Sequence, residues 1–343
     1  MTIVTVAVLV FAVSTFGTGL IRRYAISRNV LDTPNQRSSH AVPTPRGGGI
    51  AIVVAFFAGI LPLVLDGHIA PGIATALVGG GAIVAVTGFV DDHRPIAARW
   101  RLITHFGAAG WVIYWLGGLA CVSALGRTFC LSWAGYAITG LALVWLLNLY
   151  NFMDGIDGIA GVEAVTVSVS ACALYAGLPM ARGDCLLLAV LTFATIGFLL
   201  WNFAPAKIFM GDAGSGFLGL VLGALALHAA ASLPNGLWVW TILLGVFIAD
   251  ATITLARRVG RGEKFYEGHR DHAYQHAALR VGGHSHVTIA VAVINIFWLL
   301  PMAALVRTGR LDGLLGAVVA YVPLAWLARE FKAGTPDPWT GSK

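Results

Sequence analysis

Eleven apolar runs of membrane-crossing length organise this chain, at about residues 3–21, 47–65, 72–90, 102–120, 132–149, 159–177, 185–203, 214–232, 237–255, 287–306 and 312–328. A helix needs roughly 17–25 such residues to cross a bilayer core, and within lipid only helices or closed barrels can pair every backbone group. The fold class expected is all-α, a polytopic membrane protein of about 11 transmembrane helices. Composition agrees, because 11% of the 343 residues are charged against about 25% in soluble domains. That scarcity excludes a soluble enzyme, a disordered chain and a nucleic-acid binder that works through a broad basic face. The first run has no basic residue before it and is followed directly by Arg22 and Arg23, so it reads as a permanent helix and not a cleaved signal.

Orientation follows from the basic residues. The alternate loops 22–46, 91–101, 150–158, 204–213 and 256–286, with the tail from 329, hold 18 of the 22 Lys and Arg; the opposite loops hold Arg127, Arg182, Arg307 and Arg310. Cytoplasmic loops carry such an excess, which predicts an N-terminus outside and a C-terminus in the cytoplasm. Residues 1–330 are then expected to form one transmembrane catalytic domain with its chemistry on those five loops, and 331–343 a flexible cytoplasmic tail. The four cysteines show no metal-ligand spacing. Free thiols packing as small apolar groups are the simpler reading, and a Cys121–Cys130 bridge across an outer loop is the alternative.

Of the 16 acids, 11 fall in the cytoplasmic set and only Glu163 and Asp250 fall within spans. Asp91 and Asp92 are adjacent where the third span ends; two neighbouring carboxylates repel unless a cation or proton is shared, though a solvated pair countered by Arg94 has the same sequence. Asn148, Asn151, Asp154 and Asp157 recur every third residue, so on a helix neighbours share a face, and no Lys or Arg stands among them. Such a set calls for a bound metal or a phosphate–metal unit. Lys207 and Asp212 share the next short loop, which runs through glycines into a helix start of the kind that binds phosphate. Gly47, Gly48 and Gly49 after Arg46 open another such start. The loop 256–286 is basic and carries His269, His272 and His276 at helical spacing, a surface suited to a polyanion or to lipid headgroups. Asp250 is a functional candidate as an intramembrane acid, or a partner for Arg257. Together Asp91, Asp92, Asp154, Asp157 and Asp212 form an inventory for holding Mg²⁺ against a diphosphate, the need of phosphoryl transfer.

These motifs resemble a family. Asp91-Asp92, N-x-x-N-x-x-D-G-x-D-G-I at 148–159, F-M-G-D-x-G-S at 209–215 and the R-G-G-G helix start at 46–49 are similar to those of the polyprenyl-phosphate N-acetylhexosamine-1-phosphate transferases. That superfamily includes phospho-N-acetylmuramoyl-pentapeptide transferase and the enzymes that initiate O-antigen and enterobacterial common antigen. R-S-S-H-x-x-P-T-P-R-G-G-G and H-R-D-H-x-Y-Q look closest to the O-antigen-initiating branch. The resemblance implies transfer of a sugar-1-phosphate from a UDP-N-acetylhexosamine to undecaprenyl phosphate with release of UMP, at the cytoplasmic face of a bacterial inner membrane. It implies Mg²⁺, with Mn²⁺ as a substitute, no nucleic-acid partner, and leaves room for a homodimer. By carry-over the catalytic set is Asp91, Asp92, Asp154, Asp157 and Asp212. Asp212, Asp154 and Asp157 serve the metal, and Asn148, Asn151, Lys207, Arg46, His269, Arg270 and His272 the substrates. The family often shows H-x-H where this chain has His269-Arg270-Asp271-His272, which argues against a muramoyl-pentapeptide substrate. The main rival, a secondary transporter, would place its polar residues near the midplane on recurring halves; here they gather at one edge.

Overall fold

The computed structural model describes residues 2–34, 42–263 and 269–336. The Arg37–Ala41 stretch of the R-S-S-H motif, Lys264 and the end of the expected tail lie outside them. Fourteen α-helices are present among the described residues: α1 Ile3–Ser27, α2 Ile50–Leu65, α3 Pro71–His93, α4 Ala98–Leu116, α5 Trp133–Met153, α6 Ile159–Tyr175, α7 Arg182–Asn202, α8 Asp212–Ser232, α9 Gly236–Leu243, α10 Gly245–Gly260, α11 Ala273–Val281, α12 His284–Ile294, α13 Leu300–Arg307 and α14 Gly313–Glu330. Every apolar run falls on one of these or on a consecutive pair. Seven spans are long and apolar enough to cross a bilayer, counting α12 through α13 as one, and an eighth if α9 and α10 are taken together. α2 and α6 are shorter apolar helices, and α4 carries Arg99 and Arg101 in its first turn. The protein is an all-α polytopic membrane protein.

Its exterior shows why. Val4, Phe16 and Leu20 on α1, Phe297, and Val322 and Trp326 on α14 are large apolar side chains left outside, an arrangement that water penalises and lipid accepts. The interior is organised around α8, the most enclosed span, which packs against α3, α5 and α9. The ninth run is not one straight span: α9 and α10 meet at Leu244 with a bend of 71°. The loop 117–132, for which no strand was expected, is a hairpin of β3 (Cys121–Ala124) and β4 (Arg127–Cys130) closed by a Cys121–Cys130 disulfide. The alternative reading of the cysteines therefore holds, while Cys172 and Cys185 remain free thiols. A smaller pairing joins β1 (Leu31–Asp32) to β2 (Thr44–Pro45).

Both intramembrane acids accept hydrogen bonds from neighbouring elements, although Glu163 Oε1 stays buried without a partner among the described residues. Glu163 on α6 accepts from Asn295 Nδ2 (2.7 Å), at the start of a π-helical turn, Asn295–Leu299, between α12 and α13. Asp250 on α10 accepts from the backbone N–H groups of Ala273 (3.0 Å) and Tyr274 (2.9 Å), so it caps α11. It does not pair with Arg257, whose guanidinium instead donates to the Ala333 carbonyl (2.7 Å). The chain beyond α14 stays docked through that contact, with Ala333 buried and Gly334 N–H on the Asp271 carbonyl (2.6 Å).

Candidate active site

The motif loops converge at one end of the helices. Gly48 and Gly49 N–H donate to the Phe209 and Met210 carbonyls (both 2.9 Å), and Phe209 N–H returns to Pro45 (2.8 Å), so the glycine-rich start of α2 and the F-M-G-D segment lie side by side as paired backbone. These amides hold loop to loop and are not left for an anion. The start of α8 is likewise taken: Asp212 N–H donates to Asp92 Oδ1 (3.2 Å), so Asp92, 3% exposed, occupies the place where a phosphate was expected. A carboxylate at a helix N-terminus satisfies free N–H groups and the dipole alike. Gly211, at φ +77°, is required here, since a Cβ would sit 2.5 Å from Asp92 Oδ2.

Around this cap the other acids are arranged by cations and amides. Arg46 Nε donates to the Asp92 carbonyl (3.0 Å) and lies 3.9 Å from its carboxylate. Arg101 bridges Asp91 Oδ2 (2.9 Å) and Asp212 Oδ2 (3.5 Å), while Asp91 Oδ1 accepts from Ile96 N–H (2.5 Å). Asn151 Nδ2 reaches Asp212 Oδ1 and Ser215 Oγ, both at 2.9 Å. Asp157 joins two further elements: its Oδ2 accepts from Ala206 N–H (3.0 Å) and its Oδ1 lies 3.2 Å from His284 Nδ1. Asp154 differs, for its carboxylate meets no donor among the described residues. Burial first, then Asp212, Asp92 and Asp157, push its pKa well above the ordinary carboxylate value.

A second group borders this one. His272, 1% exposed, has Nδ1 at 3.2 Å from Asp250 Oδ1 and stacks on His269 with ring centroids 4.8 Å apart. Both face Phe152, at 6.3 and 6.5 Å. Tyr274 Oη donates to the Phe152 carbonyl (2.9 Å), tying α11 to the 148–159 motif, and it fills the space beside Gly155, where a Cβ would meet it at 2.1 Å. Arg270 belongs to this segment, with its Nε buried and without a hydrogen-bond partner.

Two expected substrate residues stand elsewhere. Lys207 is exposed, its Nζ over the Trp201 ring (5.8 Å), and pairs with no acid among the described residues. Asn148 turns its amide back to the Val144 carbonyl of its own helix (2.7 Å). Sequence reasoning did not single out Arg101, His284 or Tyr274. Arg101 had a signal: basic residues in the first turn of a helix oppose its dipole, so they need acids from outside it.

The donor set suits a hard cation. Among the described residues the Asp154 carboxylate meets no donor and Asp92 Oδ2 is buried and unbonded; a carboxylate so placed is stabilised by positive charge. Among the described residues no three His, Cys, Asp or Glu side chains gather as a ready metal cage.

Residues 74–230 match glycosyl transferase family 4. The chain is 32% identical over 299 residues to a probable undecaprenyl-phosphate N-acetylglucosaminyl 1-phosphate transferase of Bacillus subtilis, covering 84% of this chain and 80% of that one. It is 29% identical to a decaprenyl-phosphate N-acetylglucosaminephosphotransferase of Mycobacterium tuberculosis, over 81% of this chain and 76% of the relative. A phospho-N-acetylmuramoyl-pentapeptide-transferase of Picosynechococcus is 30% identical over 69% and 66% respectively. With the acid loops of three segments interlocked on Asp212 and relatives aligned along most of its length, the chain belongs to glycosyl transferase family 4, the polyprenyl-phosphate hexosamine-1-phosphate transferases.

Proposed function

We propose that the protein transfers N-acetylhexosamine-1-phosphate from a UDP-sugar to a polyprenyl phosphate such as undecaprenyl phosphate, releasing UMP, at the cytoplasmic face of a bacterial inner membrane. The observation that carries this is the interlocked carboxylate set, with Asp154 meeting no donor among the described residues, an arrangement suited to a hard cation held against a diphosphate. The product would be the lipid diphosphate sugar from which a cell-surface polysaccharide of O-antigen type is started. Residues 1–330 act as one catalytic domain in this reading. An apolar groove of about 230 Å³ between α5, α8 and α9, lined by Leu143, Leu146, Leu149, Leu227 and Trp240, supports a polyprenyl chain as the acceptor's tail.

Asp212 and Asp154 would hold Mg²⁺, with Asp157 behind them fixing the loop, and the ion would neutralise the diphosphate and stabilise the leaving UMP. The acceptor phosphate oxygen attacks the β-phosphorus, the bond from that phosphorus to the bridging oxygen breaks, and UMP departs. The sugar C1–O bond is untouched, so the anomeric configuration is kept. A phosphate monoester has a second pKa near about 6 and is already mostly dianionic at neutral pH. Asp91 and Asp92 therefore serve by positioning, through Arg101, Arg46 and the cap on α8, more than by taking a proton. His269, Arg270 and His272 border the nucleotide-sugar, and the Phe152 face beside the two imidazoles suits a flat base. The test is UMP release by purified protein given undecaprenyl phosphate, Mg²⁺ and a panel of UDP-sugars. Absence of UMP with every donor, from protein shown to be folded, would overturn the reading.

A further inference from the structure

A cleft of about 640 Å³ opens where α11 meets the end of α14, lined by His276, Arg280, Trp326, Arg329, Phe331 and Lys332. None of these belongs to the acid cluster. Among the described residues Glu330 is the single carboxylate at the cleft wall, and it is spent on Arg280 (2.9 Å), whose guanidinium also lies over the Phe331 ring at 5.7 Å. Arg329 and Lys332 meet no carboxylate among the described residues. Among the described residues the cleft thus carries surplus positive charge, the complement of a phosphate.

The helix leading to it says what kind of phosphate. Leu315, Val318, Val319, Val322 and Trp326 of α14 are all exposed, at i, i+3, i+4, i+7 and i+11, so they make one stripe along the length of a span. Continued one turn, the stripe ends at Arg329. An acyl chain laid on this stripe puts its headgroup into the cleft, with Trp326 at the level where tryptophan marks the bilayer boundary. The stripe faces lipid like the rest of the exterior, and the cations stand at its bilayer-boundary end, where a lipid headgroup and not a free phosphate is held in place. We propose that this cleft binds the headgroup phosphate of an anionic glycerophospholipid, held by Arg329 and Lys332 with one acyl chain along α14.

The test is native mass spectrometry of the full chain released from nanodiscs containing phosphatidylglycerol and phosphatidylcholine in equal amounts, scoring retained lipid. The wild type should retain phosphatidylglycerol preferentially. The Arg329→Gln, Lys332→Gln double variant should lose that preference by roughly 25-fold, since each basic residue at an anionic membrane surface is worth about a five-fold change. The swap Arg329→Lys, Lys332→Arg should keep it, which separates lost charge from lost structure. Equal retention of the two lipids by the wild type, or an unchanged preference in the double Gln variant, overturns the proposal. So does displacement of phosphatidylglycerol by millimolar inorganic phosphate, which would make the site one for a free anion. Because lipid retention is scored and not turnover, the outcome is independent of whether the transferase assay succeeds.

Discussion

Replacing Asp92 separates a residue that shapes the site from one that takes a proton. Its carboxylate caps α8 at 3.2 Å from Asp212 N, is almost fully buried, and has Arg46 at 3.9 Å. A hydrogen bond to a charged group contributes about 1.5–3 kcal/mol net, and an acid at a partly buried helix N-terminus up to about 2 kcal/mol. These overlap, so Asp92→Ala should cost about 3–4 kcal/mol, close to the upper end for a single substitution. Asp92→Asn keeps the volume and one acceptor oxygen and should cost about 1–2 kcal/mol. Both are measured by denaturant unfolding of the purified protein in mild detergent. UMP release by the Asn variant should fall by roughly 100-fold, because Asp212 is displaced by a fraction of an ångström to an ångström, and the loss should be the same at every pH where the enzyme is folded. An Asn variant whose rate recovers as pH rises would refute this, since only a missing base is replaced by hydroxide. An Ala variant as stable as the wild type would refute the cap.

Three further outcomes follow from the same geometry. Gly155→Ala should lower activity by more than ten-fold, because the added Cβ meets Tyr274 Oη at 2.1 Å. Tyr274→Phe alone should cost about 1 kcal/mol of stability, and in the double variant it should restore part of the lost rate; a strictly additive double variant would show that the two do not touch. Asp154 has its pKa raised by burial and neighbouring acids, so in the absence of a cation its neutral form is favoured as pH falls, and loading a cation must expel that proton. The Mg²⁺ concentration for half-maximal rate should therefore decrease as pH rises, a slope that Asp154→Asn abolishes; a half-saturation independent of pH in the wild type refutes the assignment. Thiol titration of the denatured, unreduced protein should find two free cysteines, Cys172 and Cys185, and four after reduction; four before reduction would refute the hairpin bridge.

How much of this could be read beforehand depends on the range of each interaction. The apolar helices were legible because bilayer thickness writes itself into contiguous residues, although seven or eight of them, not the expected eleven, are long and apolar enough to cross among the described residues. Their ends were less so: α1 continues past Arg22 and Arg23 to Ser27, since long basic side chains reach back to the interface without ending the helix. The bend at Leu244 left no mark, because no proline stands there and the apolar run continues through it. The acids of the site were legible as a set, since in so apolar a chain few others remain. Their division of labour was not. That Asp92 and Asp250 spend themselves capping α8 and α11 depends on partners 120 and 23 residues away, and no local pattern marks an acid as a neighbour's cap. The glycine-rich starts of α2 and α8 looked like phosphate cradles for the same reason: free amides are visible in a sequence, and the distant groups that occupy them are not.

The backbone pairing of Gly48 and Gly49 with Phe209 and Met210 also bears on how the protein is made. It closes a stretch of chain that includes α2 to α7, and the entropy of bringing such distant ends together must be met before the contact returns anything. During synthesis, which runs from the N-terminus, the first seven helices would be made before the α8 amide that Asp92 accepts from and the Phe209–Met210 carbonyls that the start of α2 donates to. Assembly of the catalytic end waits on the arrival of α8, so a nascent chain stopped before residue 209 should be inserted yet open, and the step that turns a set of helices into an enzyme is the docking of one late span into a gap the earlier ones have left.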